Sequence, residues 1–212
     1  MNVKLIQLGK IMIEERQNII QYTSKVLFTY GINSLTMDTI AQGLRMSKKT
    51  LYKYFSSKED LIDAVIEQIM ANIKSNVEQV IVSNVNAIEK LFNVLKIIVQ
   101  SLGRLNPDYL QFLNAKGFRH WEKIENFRRQ IVAKNYIKII EQGKLEGFIE
   151  DKPTIILITG AYGIVKSIVN PEFVLNNNFS FESAAKYAIG LVINACATEK
   201  GKQLYNKLSE GI

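Results

Sequence analysis

The stretch Thr36–Asp60, T-M-D-T-I-A-Q-G-L-R-M-S-K-K-T-L-Y-K-Y-F-S-S-K-E-D, constrains this chain more than any other. Met37, Ile40, Ala41 and Leu44 recur at i, i+3, i+4, i+7, the stripe of a short helix with one buried face. Thr36 stands where an N-cap hydroxyl would accept from a free backbone N–H, with Asp38 at the positive end of the helix. Arg45 and Met46 make a turn. Ser47 caps a second helix of barely two turns, Lys48–Phe55, which turns Leu51 and Phe55 inward and leaves Lys48, Lys49, Tyr52 and Lys53 on other faces. Ser57 caps a third helix, with Glu59 and Asp60 in its first turn.

Charge is concentrated here. The chain of 212 residues carries +7 overall, and Thr36–Lys58 holds five cations (Arg45, Lys48, Lys49, Lys53, Lys58) against one anion (Asp38), a local +4 from 5 − 1. Two short helices, the second carrying cations and hydroxyls at its start, meet the physical requirements of a helix-turn-helix. Its lysines would displace counterions from phosphates and its polar side chains would reach base edges. A basic, solvated surface on a small helical subdomain has the same composition. Charge and periodicity alone leave both readings open.

The segment S-K-K-T-L-Y-K-Y-F-S-S-K-E-D-L, preceded by T-M-D-T-I-A, resembles the N-terminal DNA-binding domain of TetR-family transcriptional regulators, over roughly residues 11–70. The resemblance implies an all-α fold, with a three-helix head over residues 11–57 (motif about 36–55) and a helical effector-binding and dimerisation domain over 58–212. By position, Thr36 matches the family's phosphate-contacting cap. Lys48, Lys49 and Thr50 fall where base and phosphate contacts arise, Tyr52 and Tyr54 where aromatic hydroxyls meet the backbone, and Lys58 where the next helix touches a phosphate. Arg45, Ser47 and Lys53 complete the expected DNA-binding set. Two positions depart from the pattern. Arg45 stands where the family usually has Gly, at a turn position that often needs a left-handed backbone and costs another residue about 1 kcal/mol. Lys49 stands where Gly or Pro is common. Both changes add positive charge at the DNA face.

The rest of the chain reads as helix. Glu14–Tyr30 places Ile19, Ile20, Val26, Leu27 and Tyr30 on one face, with Gly31 as the stop; the preceding residues either extend this helix or form an arm. From Ser57 to Val82 a stripe running from Leu61 to Ile81 specifies one long helix. Ile88–Leu102, ended by Gly103, follows. Asn106-Pro107-Asp108 opens a helix closed near Gly117. Glu122–Leu145 reads as one long helix, stopped by G-K-L-E-G-F. Pro153–Val169, a loop at Asn176–Asn178, Ser180–Thr198 and Lys200–Leu208 complete the series.

The helices at about 153–169 and 180–198 are apolar nearly all round and rich in small residues, Gly160 and Gly163 on the first and Ala184, Ala188 and Ala195 on the second. As the outer layer of one body they lack a cover, which a second copy would supply. Ordinary packing within one chain is the alternative, and the resemblance favours the homodimer. The resemblance also implies a small-molecule effector in the body, of lipophilic character if Phe92, Phe112, Phe118, Trp121, Tyr136 and Tyr162 surround it. Each of these aromatics could equally be core.

Other classes are poorly supported. The sequence contains no G-x-x-x-x-G-K-[ST], G-x-S-x-G or H-E-x-x-H, so no enzyme is indicated. His120, read as a surface or helix-start residue, and Cys196, read as a buried apolar side chain, are the only members of their types. No cofactor or metal site is therefore expected. No signal peptide or spanning segment is read, which gives a cytoplasmic protein. The expectation is a repressor that binds a palindromic double-stranded DNA operator as a homodimer and is released by an effector. An effector-independent regulator with a packed core is the alternative, and a peripheral membrane protein is the weaker third.

Overall fold

The computed structural model describes residues 2–102, 107–115, 118–131 and 135–210. Gly103, Asn106, Gly117 and the side chain of Phe118, each assigned a role above, lie outside the described residues. The chain is all helical: α1 Asn2–Tyr30, α2 Met37–Gly43, α3 Lys48–Tyr54, α4 Lys58–Val82, α5 Ala87–Leu102, α6 Pro107–Ala115, α7 Phe118–Ile131, α8 Ile137–Leu145, α9 Thr154–Ile168, α10 Pro171–Asn176, α11 Phe181–Cys196 and α12 Glu199–Ser209. A single 3-10 turn, Ile32–Ser34, links α1 to α2.

The helices pack as two compact units, Met1–Ile69 with Leu105–Lys116, and Met70–Arg104 with Gly117–Ile212. In the first, α1 packs on α2 and α2 on α3, and Ile19, Ile20, Val26 and Leu27 of α1, Ile40 and Ala41 of α2, Leu51 of α3 and Leu61, Ile62 and Val65 of α4 are all buried. Thr23 shares that face because its hydroxyl donates to the Ile19 carbonyl at 2.8 Å, which satisfies it without water. Tyr30, read as part of the same stripe, is exposed instead, at the last turn of the helix. Residues 2–13 are helical, so α1 extends through the segment the sequence left open. Helix α6 belongs to this unit: it packs on the Ile32–Ser34 turn and buries Tyr109, Leu110 and Leu113.

In the second unit α5 is central, packed against α8, α11 and α12, while α9 lies on α11 and α8. The stop after α8 is built as its sequence requires. Gly147 takes φ 72, and the Phe148 N–H reaches back to the Gly143 carbonyl at 2.8 Å. The chain then forms an isolated antiparallel bridge, Ile149 to Ala197, that ties the end of α8 to the end of α11. Two expectations need correction. The helix read as Glu122–Leu145 begins at Phe118 and is described as α7 and α8, with a π-helical step at Asn135 and Tyr136 leading into α8. The segment after Val169 contains a short helix, α10, capped by the Asn170 side chain on the Phe173 N–H at 2.8 Å with Pro171 at its start.

Candidate nucleic-acid interface

Thr36 caps α2 as expected, in a reciprocal box: its hydroxyl accepts from the Thr39 N–H at 3.1 Å while its own N–H donates to the Thr39 hydroxyl at 3.0 Å. The helix ends through Arg45, which takes φ 55, and the Met46 N–H donates to the Ala41 carbonyl at 2.9 Å. The turn therefore has the left-handed backbone that favours glycine, held by a non-glycine residue. Ser47 opens α3 by accepting from the Thr50 N–H at 3.0 Å, and its hydroxyl lies 2.8 Å from that of Thr50.

Helix α3 divides its residues sharply. Leu51 is 0% and Phe55 just beyond it 3% exposed, while Tyr52 is 50% exposed and Lys48, Lys49 and Lys53 face solvent with it. Phe55 is held on its other side by the Arg16 guanidinium, 5.0 Å from the ring centre. The apolar pair anchors the helix, so the polar face is fixed in orientation before any partner arrives.

Beyond the capping residues, three more of the expected groups are engaged. The Lys48 ammonium pairs with Asp38 of α2. The Tyr54 hydroxyl donates to Glu15 of α1, and this hydrogen bond, with a smaller effect of burial, raises the phenol above its ordinary pKa. Lys58 donates to the Ile32 carbonyl at 3.2 Å. Glu15 and Arg16 were absent from the sequence reading. Their spacing on α1 carries no signal, because their role comes from α3, nearly forty residues further along the chain.

Of the aromatics expected around an effector, Trp121, Tyr136 and Tyr162 converge on two charged residues the sequence reading missed. Arg128 lies over the Trp121 ring at 5.4 Å and pairs with Glu125 at 3.2 Å, and Glu125 accepts from the Tyr162 hydroxyl at 2.5 Å. Burial lowers the Arg128 guanidinium from its ordinary range, opposed by Glu125, and burial pushes the Tyr136 phenol up to about 12. Asn135 beside it is buried, and its side-chain nitrogen has no hydrogen-bond partner among the described residues. The available signal was Trp121, Glu125 and Arg128 at i, i+4, i+7, charges on an inward-facing stripe. Phe92 instead packs edge-on against Tyr205 at 6.2 Å, and Phe112 stacks on Tyr109 within the first unit. His120, read as a surface or helix-start residue, stands near the start of α7 and is buried.

The small residues assigned to an interface divide as well. Gly160, Gly163 and Ala195 are exposed, but Ala184 and Ala188 are buried within the chain against its own helices. Alongside the exposed glycines stand Ile155 at 70% and Tyr187 at 65% exposure, with Ile156 and Leu191 beside them. Among the described residues no group of His, Cys, Asp and Glu could hold a metal ion, and no helix is long and apolar enough to cross a membrane.

The family model for bacterial regulatory proteins of the tetR family matches residues 19–65, which span the packed part of α1 through the first turns of α4. An uncharacterised HTH-type transcriptional regulator of Bacillus subtilis, YvaF, is 26% identical, over 79% of this chain and 88% of its own. The nucleoid occlusion factor SlmA of Mannheimia succiniciproducens is 25% identical, over 82% of this chain and 85% of its own. Among solved structures, a TetR-family transcriptional regulator from Marinobacter aquaeolei shares the fold with a TM-score of 0.65 at 16% identity, covering 92% of this chain and 97% of that one. The matched segment and the two capped helices agree, within an all-helical fold: residues 19–65 of this chain form the DNA-binding domain of the TetR family of transcriptional regulators.

Proposed function

We propose that the protein is a homodimeric repressor that binds a palindromic operator through two copies of the head and is released by a small-molecule effector. The observation that carries this reading is the division of α3, with Leu51 and Phe55 buried and Lys48, Lys49, Tyr52 and Lys53 presented together. Thr36, Ser47, Thr50 and Lys58 flank that face at helix starts, where N–H groups and hydroxyls meet phosphate oxygens. Arg45 adds a cation at the turn, and Tyr54 supplies a hydroxyl once it leaves Glu15. In a dimer the two recognition helices would enter successive major-groove faces about 34–36 Å apart, or one and a half such steps. Residues 11–57 act as the DNA-reading head and 58–212 as the effector-binding and dimerisation body.

Dimerisation through α9 and α11 is supported by the exposed apolar face of Ile155, Ile156, Tyr187 and Leu191, with the open glycines between them. Effector binding is supported by the half-buried Glu125–Arg128 ion pair, with the Tyr136 and Tyr162 phenols beside it. An ion pair partly removed from water, with perturbed groups around it, marks a candidate binding site. An effector there, with an apolar part against Trp121, would alter how α4 is held and shift DNA affinity by a coupling of about 1–3 kcal/mol, felt equally at both sites. The protein would work in the cytoplasm, where its DNA is.

Selection of bound duplexes from a random pool tests the reading. Enrichment of an inverted repeat is the expected result; a non-repeated site, or no enrichment, overturns the palindrome or the DNA reading respectively. Thermal stabilisation by members of a panel of lipophilic acids and neutral lipophiles, lost in Arg128→Met, tests the effector. A panel without effect favours the regulator with a packed core.

A further inference from the structure

Two carboxylates stand among the groups expected to meet DNA, each bonded to one of them: Glu15 accepts from the Tyr54 hydroxyl and Asp38 pairs with Lys48. Both pairs are exposed and contribute little to folding. Lys48 and Asp38 keep 59% and 63% of their side-chain surface, and an ion pair so exposed contributes little to stability. Glu15 lies on the exposed side of α1, beside an Arg16 already engaged with Phe55. Among the described residues, Arg45, Lys49 and Lys53 have no such carboxylate, so the restraint falls on particular groups and not on the whole face.

A phosphate that approached Tyr54 or Lys48 would displace a carboxylate from the same donor and then face its negative charge within a Debye length, about 8–10 Å. We propose that Glu15 and Asp38 are internal competitors for the recognition helix, which hold Tyr54 and Lys48 in the DNA-free protein and restrain its affinity for any duplex. The inference rests on the head reading DNA through these side chains. The carboxylates offset the charge that Arg45 and Lys49 add. A head with two extra cations and no restraint would spend more of its time on sequence-independent backbone binding.

The test is the isosteric pair Glu15→Gln and Asp38→Asn, singly and together, in the full chain. Binding is measured by fluorescence anisotropy to a random-sequence duplex and to a duplex selected by the wild-type protein, between about 50 and 200 mM salt. Each single variant is expected to bind both duplexes about threefold to fivefold tighter at low salt. The double variant should steepen the dependence of log K on log salt by up to about one. Affinities and slopes equal to wild type, or weaker binding, with an unchanged melting temperature overturn the proposal. Asp38 sits in the first turn of α2, so should Asp38→Asn lower the melting temperature, Glu15→Gln decides the matter alone, since Glu15 lies within a helix and far from its ends. Failure of the wild-type protein to select any duplex would sink the DNA reading and this inference with it, whereas selection by wild type with inert carboxylates sinks only the inference.

Discussion

The ammonium of Lys90 donates to the side-chain oxygen of Gln142 at 2.8 Å and, in the same buried site, to the Ile81 carbonyl at 2.8 Å. Ile81 lies in the last turn of α4, where carbonyls have no helical partner and the helix dipole is negative. Gln142 in turn donates to the Val85 carbonyl at 3.0 Å and to Glu146 at 2.6 Å, and Glu146 accepts from the Ala87 N–H at 2.8 Å. The network binds the end of α4, the start of α5 and the end of α8 into one polar clasp.

Lys90→Met keeps the length of the side chain but leaves the Ile81 carbonyl and the Gln142 oxygen buried without a donor. A buried acceptor left unsatisfied costs about 1–3 kcal/mol, so the variant should lose about 2–3 kcal/mol in urea unfolding. Adding Gln142→Leu should deepen the loss, because the Val85 carbonyl and Glu146 then lose their donor as well. A single variant as stable as wild type would show the clasp to be incidental.

Arg45→Gly should relieve the left-handed backbone at the turn. The relief of about 1 kcal/mol is partly offset by the greater freedom glycine gives the unfolded chain, for a net gain of about 0.5 kcal/mol seen as a higher melting temperature. The same change removes a cation, so binding to DNA should weaken and its salt slope flatten by about one if Arg45 meets a phosphate. A variant that gains stability with an unchanged slope would take Arg45 off the DNA.

Much of this was legible because it is local. Caps at Thr36, Ser47 and Ser57 act within three residues of themselves, and each is found in place. The left-handed turn at Arg45 was legible only through the resemblance, since TetR-family regulators usually have Gly at that position. The short helix α10 was missed although Asn170-Pro171 repeats the signal used at Asn106-Pro107; the neighbouring asparagines hid a helix of only six residues. Glu15 on Tyr54 and Arg128 beside Glu125 and Tyr162 were not legible, since long-range packing alone brings them together. Ala188 shows the same limit from the other side: small residues at helical spacing mark a close approach but not which neighbour makes it.

Lys49→Ala should weaken binding to all duplexes and flatten the salt slope by about one, because an exposed lysine on α3 acts on the backbone whatever the sequence. Tyr52→Phe, by contrast, should lower affinity for the selected duplex without altering the slope. An unchanged slope in Lys49→Ala would remove that lysine from the phosphate contacts.

Gly163→Glu separates association from folding. A Cβ built at Gly163 meets nothing within 4 Å, and replacing glycine within a helix removes a penalty of about 0.5–1 kcal/mol, so the isolated chain should fold at least as well. Ala188, 0% exposed inside the chain, offers no such test, since a charge there would disrupt the core whether or not a dimer forms. If α9 and α11 meet their counterparts in a second copy, two glutamates would be buried near a two-fold axis without partners, and light scattering should report a monomer with unaltered helical circular dichroism. DNA binding should fall with it, because two heads joined in one molecule gain from effective concentration what separate heads lack. A Gly163→Glu protein that stays dimeric would place the interface elsewhere and leave the exposed Ile155, Ile156 and Leu191 face without its proposed occupant.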